Sequence, residues 1–170
     1  DNGLYWSHAS QRRNYTVGMS SVGCPYACDF CCMRATGFLP RPAALVFEEM
    51  AAARAAHGVR EFDWFDPVML HDKARASELA ERLVGAKLDV IWSTRTRIEP
   101  LLDSRRGGRP DEPFIARLAE SGCRRLFIGI ESASPEILGG LHKGLDVAPA
   151  REVFAALRAH GIMVLGFFMI

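Results

Sequence analysis

No stretch of this 170-residue sequence approaches the roughly 20 consecutive apolar residues that a membrane-spanning helix needs, so no membrane span is expected. Charge of one sign is missing too: 21 Lys and Arg face 20 Asp and Glu, a net charge of +1. That balance argues against a broad electrostatic footprint for DNA. Histidine is sparse. His8, His57, His71, His142 and His160 show no paired metal-ligand spacing and read as solvated or helix-end residues. No signal peptide is expected, and neither a low-complexity tract nor a strong internal repeat is present in these 170 residues. Five cysteines form an odd count in a chain that is not a short Cys-dense scaffold, which argues against a disulfide framework. Free thiols of this kind suit a reducing, cytoplasmic setting. The first residue is Asp1 rather than Met, and Ile170 falls inside the apolar run that begins at Val164, so a piece of a longer protein is expected.

What is present is an ordinary globular composition, 49% hydrophobic and 24% charged, of a size that suits one domain with a real core. Apolar strand-like runs alternate with four helical segments. The strands are expected at 15–22, with Val17 and Met19 pointing inward, then at 61–66, 90–94, 125–130 and 162–170. The helices are expected at 43–57, closed by Gly58; from an Asp72 cap to about 84; at 111–121, closed by Gly122; and from an Asp146 cap through Leu157 to Gly161. Strand, helix, strand repeated in this way predicts a parallel α/β sheet, because a helix is the usual crossover between parallel neighbours. The near-continuous apolar strands predict burial on both faces. Residues 103–110, rich in Arg and Gly, read as a mobile solvated loop.

The most specific feature is the run Gly23-Cys24-Pro25-Tyr26-Ala27-Cys28-Asp29-Phe30-Cys31, spaced C-x3-C-x2-C. Iron–sulfur clusters are usually held by four thiolates, and three would leave one iron open to a small ligand, as an open position marks catalytic zinc sites. A structural zinc site is the competing reading. It would take its fourth ligand from Cys32, His8, Cys123 or another distant residue, yet no second C-x2-4-C knuckle is present. A C-x3-C-x3-C reading ending on Cys32 stays open by spacing alone; Cys32 and Cys123 are otherwise read as small buried thiols.

In parallel barrels, functional residues gather at the carboxyl ends of the strands. The cysteine loop follows the first expected strand, Asp66 closes the second, Thr94, Arg95 and Arg97 the third, and Glu131 with Ser132 the fourth. These clusters should converge on one mouth.

The cysteine loop, with Phe30 before its last cysteine, resembles the cluster loop of the radical S-adenosylmethionine enzymes. Gly129-Ile130-Glu131-Ser132-Ala133-Ser134 and Leu141-His142-Lys143-Gly144 resemble stretches of a subgroup that carries an N-terminal cobalamin-binding domain, including the magnesium-protoporphyrin ester cyclases. Trp64-Phe65-Asp66, Asp72-Lys73-Ala74-Arg75, Trp92-Ser93 and Arg97 resemble its second- and third-strand segments. Pro67 stands where that subgroup has a second acidic residue, Glu99 where it has aspartate, and Ala133 where it has glycine.

The resemblance implies an incomplete parallel (β/α)6-type partial TIM barrel with about five β/α units over 15–170, truncated before its last strand. Residues 1–14 would be a linker from an upstream domain. Cys24, Cys28 and Cys31 would hold a [4Fe–4S] cluster whose open iron chelates S-adenosylmethionine. Asp66 would accept a hydrogen bond from the methionine amine, Glu131 would address the ribose, Ser132 would be a further cofactor-binding residue, Phe30 would pack near adenine, and Arg95 or Arg97 would pair with the methionine carboxylate. The implied activity is reductive cleavage of S-adenosylmethionine to a 5′-deoxyadenosyl radical that takes hydrogen from a small-molecule substrate, for methyl transfer or oxidative cyclisation. Cobalamin would be bound outside this chain, and flavodoxin or ferredoxin would supply electrons. The alternatives are a tRNA methylthiotransferase-like enzyme and a non-catalytic zinc or iron–sulfur binding module.

Overall fold

The computed structural model describes residues 10–169. In chain order the elements are β1 (Tyr15–Gly18), β2 (Ser21–Val22), β3 (Leu39–Pro40), α1 (Ala43–His57), β4 (Glu61–Trp64), α2 (Lys73–Gly85), β5 (Ile91–Thr96), β6 (Leu102–Asp103), β7 (Arg109–Pro110), α3 (Glu112–Glu120), β8 (Cys123–Glu131), α4 (Pro135–Gly140), α5 (Ala150–Ala159) and β9 (Met163–Phe168). Five strands form one parallel sheet in the order β1-β4-β5-β8-β9. Because spatial order follows chain order without reversal, each right-handed crossover curls the sheet further in the same sense, which makes a barrel wall rather than a doubly wound layer. The sheet is not closed, and β1 and β9 are its edges.

Local chemistry sets the helix ends. Asp72 and Asp111 cap α2 and α3 by accepting from the Arg75 and Phe114 amides at 3.0 and 3.1 Å. Gly58 ends α1 in the left-handed conformation. Asp146 does not start α5. Its carboxylate caps only a turn, at the Ala148 amide, and the helix begins at Ala150 behind Pro149. Pro149 disfavours helical backbone in the residue before it, which moves the start. Residues 102–110 are not a loose loop either: β6 and β7 pair antiparallel, Leu102 with Pro110 and Asp103 with Arg109.

Strand side chains alternate between two environments. Phe62, Trp64, Trp92, Leu126, Ile128 and Ile130 are buried in one core with Val46, Met50, Leu79, Leu83, Ile115, Leu118, Val153 and Leu157 of the helices. The opposite face of the central strands is buried too, as expected, but partly by polar side chains: Glu61, Ser93 and Arg125 on it are 2%, 1% and 5% exposed. Paired register aligns Asp63 with Ser93, Ser93 with Arg125, and Arg95 with Phe127. Arg125 meets Glu61 at 3.0 Å and Arg95 meets Asp63 at 2.5 Å across this face. At the edges, Val17, Met19 and Phe168 are exposed, and Phe167, though also exposed, stacks on Phe127 with ring centroids 5.9 Å apart.

Candidate functional site

The cysteine loop opens from β2 and returns through β3, and its neck is closed by two glycines. Gly23 has φ +83°, and a Cβ there would stand 2.3 Å from the Gly37 carbonyl oxygen, so no other residue fits this approach. Above the neck, the Cys24 amide donates to Thr36 Oγ1 at 3.1 Å and the Ala35 amide to the Tyr26 carbonyl at 2.8 Å. The loop tip docks on the segment after β8 through the Asp29 amide and the Leu141 carbonyl, 3.2 Å apart, and through the Asp29–His142 side-chain contact.

Cys24, Cys28 and Cys31 all line one cavity of about 300 Å³, together with Phe30, Asp66, Arg95, Arg97, Glu131 and Lys143. The cavity lies at the carboxyl ends of β4, β5 and β8, where barrel chemistry is expected. A larger groove of about 940 Å³ between α5 and β9 is lined by neither thiol nor carboxylate, so its size carries no comparable chemistry. Cys32 is exposed and off the cavity wall, and Cys123 is buried at the opposite end of β8. No fourth cysteine therefore reaches the three. Burial pushes the Cys24 thiol above its ordinary 9.0, helped by Cys31 and Cys28 and opposed by the Tyr26 amide and Arg97.

The donor set fits an iron–sulfur cluster. Three soft thiol ligands share a cavity, with a cation beside one of them. Among the described residues no three His, Cys, Asp or Glu side chains converge on a point that would hold a single metal ion. A four-iron cluster takes each thiolate on a different iron, so its ligands surround a volume instead of meeting at one atom.

The remaining expected residues divide into two groups. Phe30 and Glu131 present themselves to the cavity. Glu131 has φ +64° at a bulge between β8 and β9, a conformation costly for a residue with a Cβ, and strain of this kind clusters at functional sites. Its Oε1 accepts from Lys143 Nζ at 2.8 Å, both side chains being largely buried. Asp66 reaches the same wall but is fully buried, and its carboxylate accepts from the Ser20 amide at 3.0 Å, the Ser20 hydroxyl at 2.9 Å and the Ser21 hydroxyl. In this structure it therefore anchors the entry to the cysteine loop, with Arg75 clasping the same serine: its Nη1 donates to the Ser20 carbonyl at 3.2 Å. Burial lowers the pKa of Arg75 from its ordinary value, against the pull of Asp66 and Asp72.

Both arginines are also committed. Arg95 pairs with Asp63 and lies between the rings of Phe65 and Phe127, 3.9 and 4.5 Å from their centroids. Arg97 grips Glu99 and the Lys143 carbonyl. Ser132 is off the cavity wall, and its hydroxyl accepts from the Ser134 amide in the turn leading to α4. His71 is not simply solvated, since its ring meets Tyr26 and Phe38 edge-on. His8 lies outside the described residues. Sequence reasoning assigned no role to Lys143, although the Lys143-Gly144 pair drew attention.

The chain is similar to known proteins along most of its length. The model of the radical SAM superfamily matches residues 19–170. An uncharacterized methyltransferase of Pyrococcus horikoshii is 27% identical over 159 residues, 92% of this chain and 33% of that protein. A bacteriochlorophyllide d C-12(1)-methyltransferase of Chlorobaculum tepidum is 30% identical over 169 residues, 95% of this chain and 35% of that protein. The chain thus spans about a third of the length of these curated relatives. Among solved structures, the cobalamin-dependent S-adenosylmethionine radical enzyme OxsB with aqua-cobalamin bound superposes with a TM-score of 0.77 at 18% identity, covering 90% of this chain and 23% of that one. The radical S-adenosylmethionine methyltransferase TsrM from Kitasatospora setae, with tryptophan and a cofactor analogue, gives 0.76 at 22%, covering 90% and 30%. At these identities the likeness establishes the fold.

Proposed function

This chain belongs to the radical SAM superfamily, and from that premise we propose that it is the cluster-bearing partial barrel of a radical SAM methyltransferase. Cys24, Cys28 and Cys31 would hold a [4Fe–4S] cluster with one iron left for S-adenosylmethionine. The observation that carries the reading is the convergence of these three thiols with Glu131 and Phe30 on one cavity at the carboxyl mouth of the sheet. When bound, the reduced cluster would supply one electron for reductive cleavage of S-adenosylmethionine.

The chain's own residues supply placement. Glu131, aimed by its strained backbone and steadied by Lys143, would accept from the ribose hydroxyls, the task carboxylates perform in dinucleotide sites. Phe30 would cover the adenine. Arg95 would serve the methionine carboxylate only by sharing itself with Asp63, so we assign it first to shaping the cavity wall between Phe65 and Phe127. Asp66 and Ser132 are assigned to holding the cysteine loop and the turn after β8.

Methyl transfer is favoured over cyclisation by the methyltransferase relatives. Residues 15–170 would form the partial barrel of a longer protein, with cobalamin held outside this chain and substrate contacts shared with the remainder. No helix among the described residues is long and apolar enough to cross a membrane. Free thiols support a reducing, cytoplasmic setting with flavodoxin or ferredoxin as electron donor. No observation of this structure favours the tRNA-modifying or zinc-module alternatives. The test is anaerobic incubation of cluster-loaded protein with dithionite and S-adenosylmethionine. Formation of 5′-deoxyadenosine, or of methylated product once substrate is known, is expected; intact S-adenosylmethionine would overturn the proposal.

A further inference from the structure

The first residue after β5, Arg97, is held from four directions. Its Nε donates to both Glu99 oxygens at 2.9 and 3.1 Å, and its Nη2 bonds Glu99 and, at 2.7 Å, the Lys143 carbonyl. Its guanidinium lies over the Tyr26 ring, 4.0 Å from the centroid. The remaining edge points at a thiol: Nη1 is 3.6 Å from Cys28 Sγ. A guanidinium has five N–H groups in a fixed fork. Four are used here, and the bidentate grip that an incoming carboxylate takes needs two. Arg97 is therefore poorly placed to receive the methionine carboxylate and well placed to face sulfur.

Resting on the reading that Cys28 carries iron, we propose that Arg97 sets the reduction potential of the cluster through its N–H···S contact with Cys28. The reductant gives one electron to the cluster, the cluster gains one negative charge, and Arg97 keeps its proton throughout. A donor and a fixed positive charge beside the thiolate favour the more negative, reduced state, and hydrogen bonds to cluster sulfurs are among the recognised determinants of potential. Glu99, on the opposite edge of the guanidinium, fixes its orientation and moderates its field.

The full chain, reconstituted anaerobically, is titrated redox-wise with the reduced cluster read by electron paramagnetic resonance, as wild type, Arg97→Met and Arg97→Lys. The midpoint is expected to fall in both, further in Arg97→Met. At a fixed poise, Arg97→Met should show a tenfold lower reduced-to-oxidised ratio, which for a one-electron couple is about 59 mV. Variants that load cluster and titrate at the wild-type midpoint overturn the inference and leave the proposed function standing. Variants that keep the wild-type circular dichroism but load no cluster also overturn it, because Arg97 then acts on assembly. Wild type that takes up no iron and sulfide fails the proposed function itself. Should neither variant fold, wild type grown with ¹⁵N-guanidinium arginine decides: a ¹⁵N coupling to the reduced cluster's spin supports the contact, and its absence contradicts it.

Discussion

Lys143 Nζ lies 2.8 Å from Glu131 Oε1, and the two bridge the strand and loop that form one side of the cavity mouth. Gly129 makes room for them. A Cβ at that position would stand 2.6 Å from Glu131 Oε1 and 2.8 Å from Lys143 Nζ. Gly129→Ala should therefore part the pair. Only the tips of two flexible side chains have to move, so the urea midpoint should shift little. If Glu131 addresses the ribose, affinity of cluster-loaded protein for S-adenosylhomocysteine should fall about tenfold, equivalent to ~1.4 kcal/mol, by calorimetry. Unchanged affinity would remove Glu131 from that role.

At the other end of the barrel, Glu61 and Arg125 form an ion pair whose side chains are 2% and 6% exposed. Glu61 Oε2 also accepts from the Gln11 and Arg12 amides at 2.7 and 2.6 Å. Arg125→Met leaves a buried carboxylate without its cation and should cost about 3–5 kcal/mol in denaturant unfolding. Arg125→Met combined with Glu61→Gln should recover part of that loss, since the uncompensated charge is gone. A double variant no better than the single one would show that the pair is not the source.

Cysteine chemistry separates the five thiols. Complete burial pushes Cys123 up to about 12, so almost no thiolate, the reactive form, exists at pH 8. Cys32 is exposed. Iodoacetamide at pH 8 should label Cys32 first and leave Cys123 unmodified until denaturant is added, as read by peptide mass spectrometry. Early labelling of Cys123 would contradict its place at the buried start of β8.

Asp111 carries a pH prediction. Burial works against its charge, but Lys73 at 2.6 Å and the Phe114 amide hold its carboxyl below the ordinary 3.8. With the folded value depressed, its stabilising contribution is complete above 3.8 and is lost as pH falls through the folded value. Asp111→Asn keeps a good cap and removes the charge. It should cost less than ~1 kcal/mol at neutral pH, the pair being partly exposed, and should flatten the acid limb of stability below pH 3.8. An identical acid limb would show that Lys73 adds nothing.

Features governed by local chemistry were legible in the sequence. Asp72 and Asp111 announced the starts of α2 and α3, Gly58 the end of α1, and the cysteine spacing the loop itself. What stayed hidden depends on pairing across distance. That Asp63 lies beside Arg95, and Glu61 beside Arg125, follows from strand register, which no single segment encodes. Val17 and Met19 read as inward by pattern, yet they lie on or beside an edge strand where no neighbour covers them. The six-residue α4 was missed because its sequence ends in Gly139-Gly140, a poor helical signal. Asp66 and Arg97 were recognised as site residues, but their partners, Ser20 and Cys28, could be named only once the chain was folded.

The most direct test of the account is iron and acid-labile sulfide analysis after anaerobic reconstitution, with Cys24, Cys28, Cys31 and Cys32 each replaced by Ala. The account predicts about four irons and four sulfides per chain, lost or sharply reduced in the first three variants and retained in Cys32→Ala. Tightly bound zinc without labile sulfide, or a cluster indifferent to Cys24, Cys28 and Cys31, would contradict it.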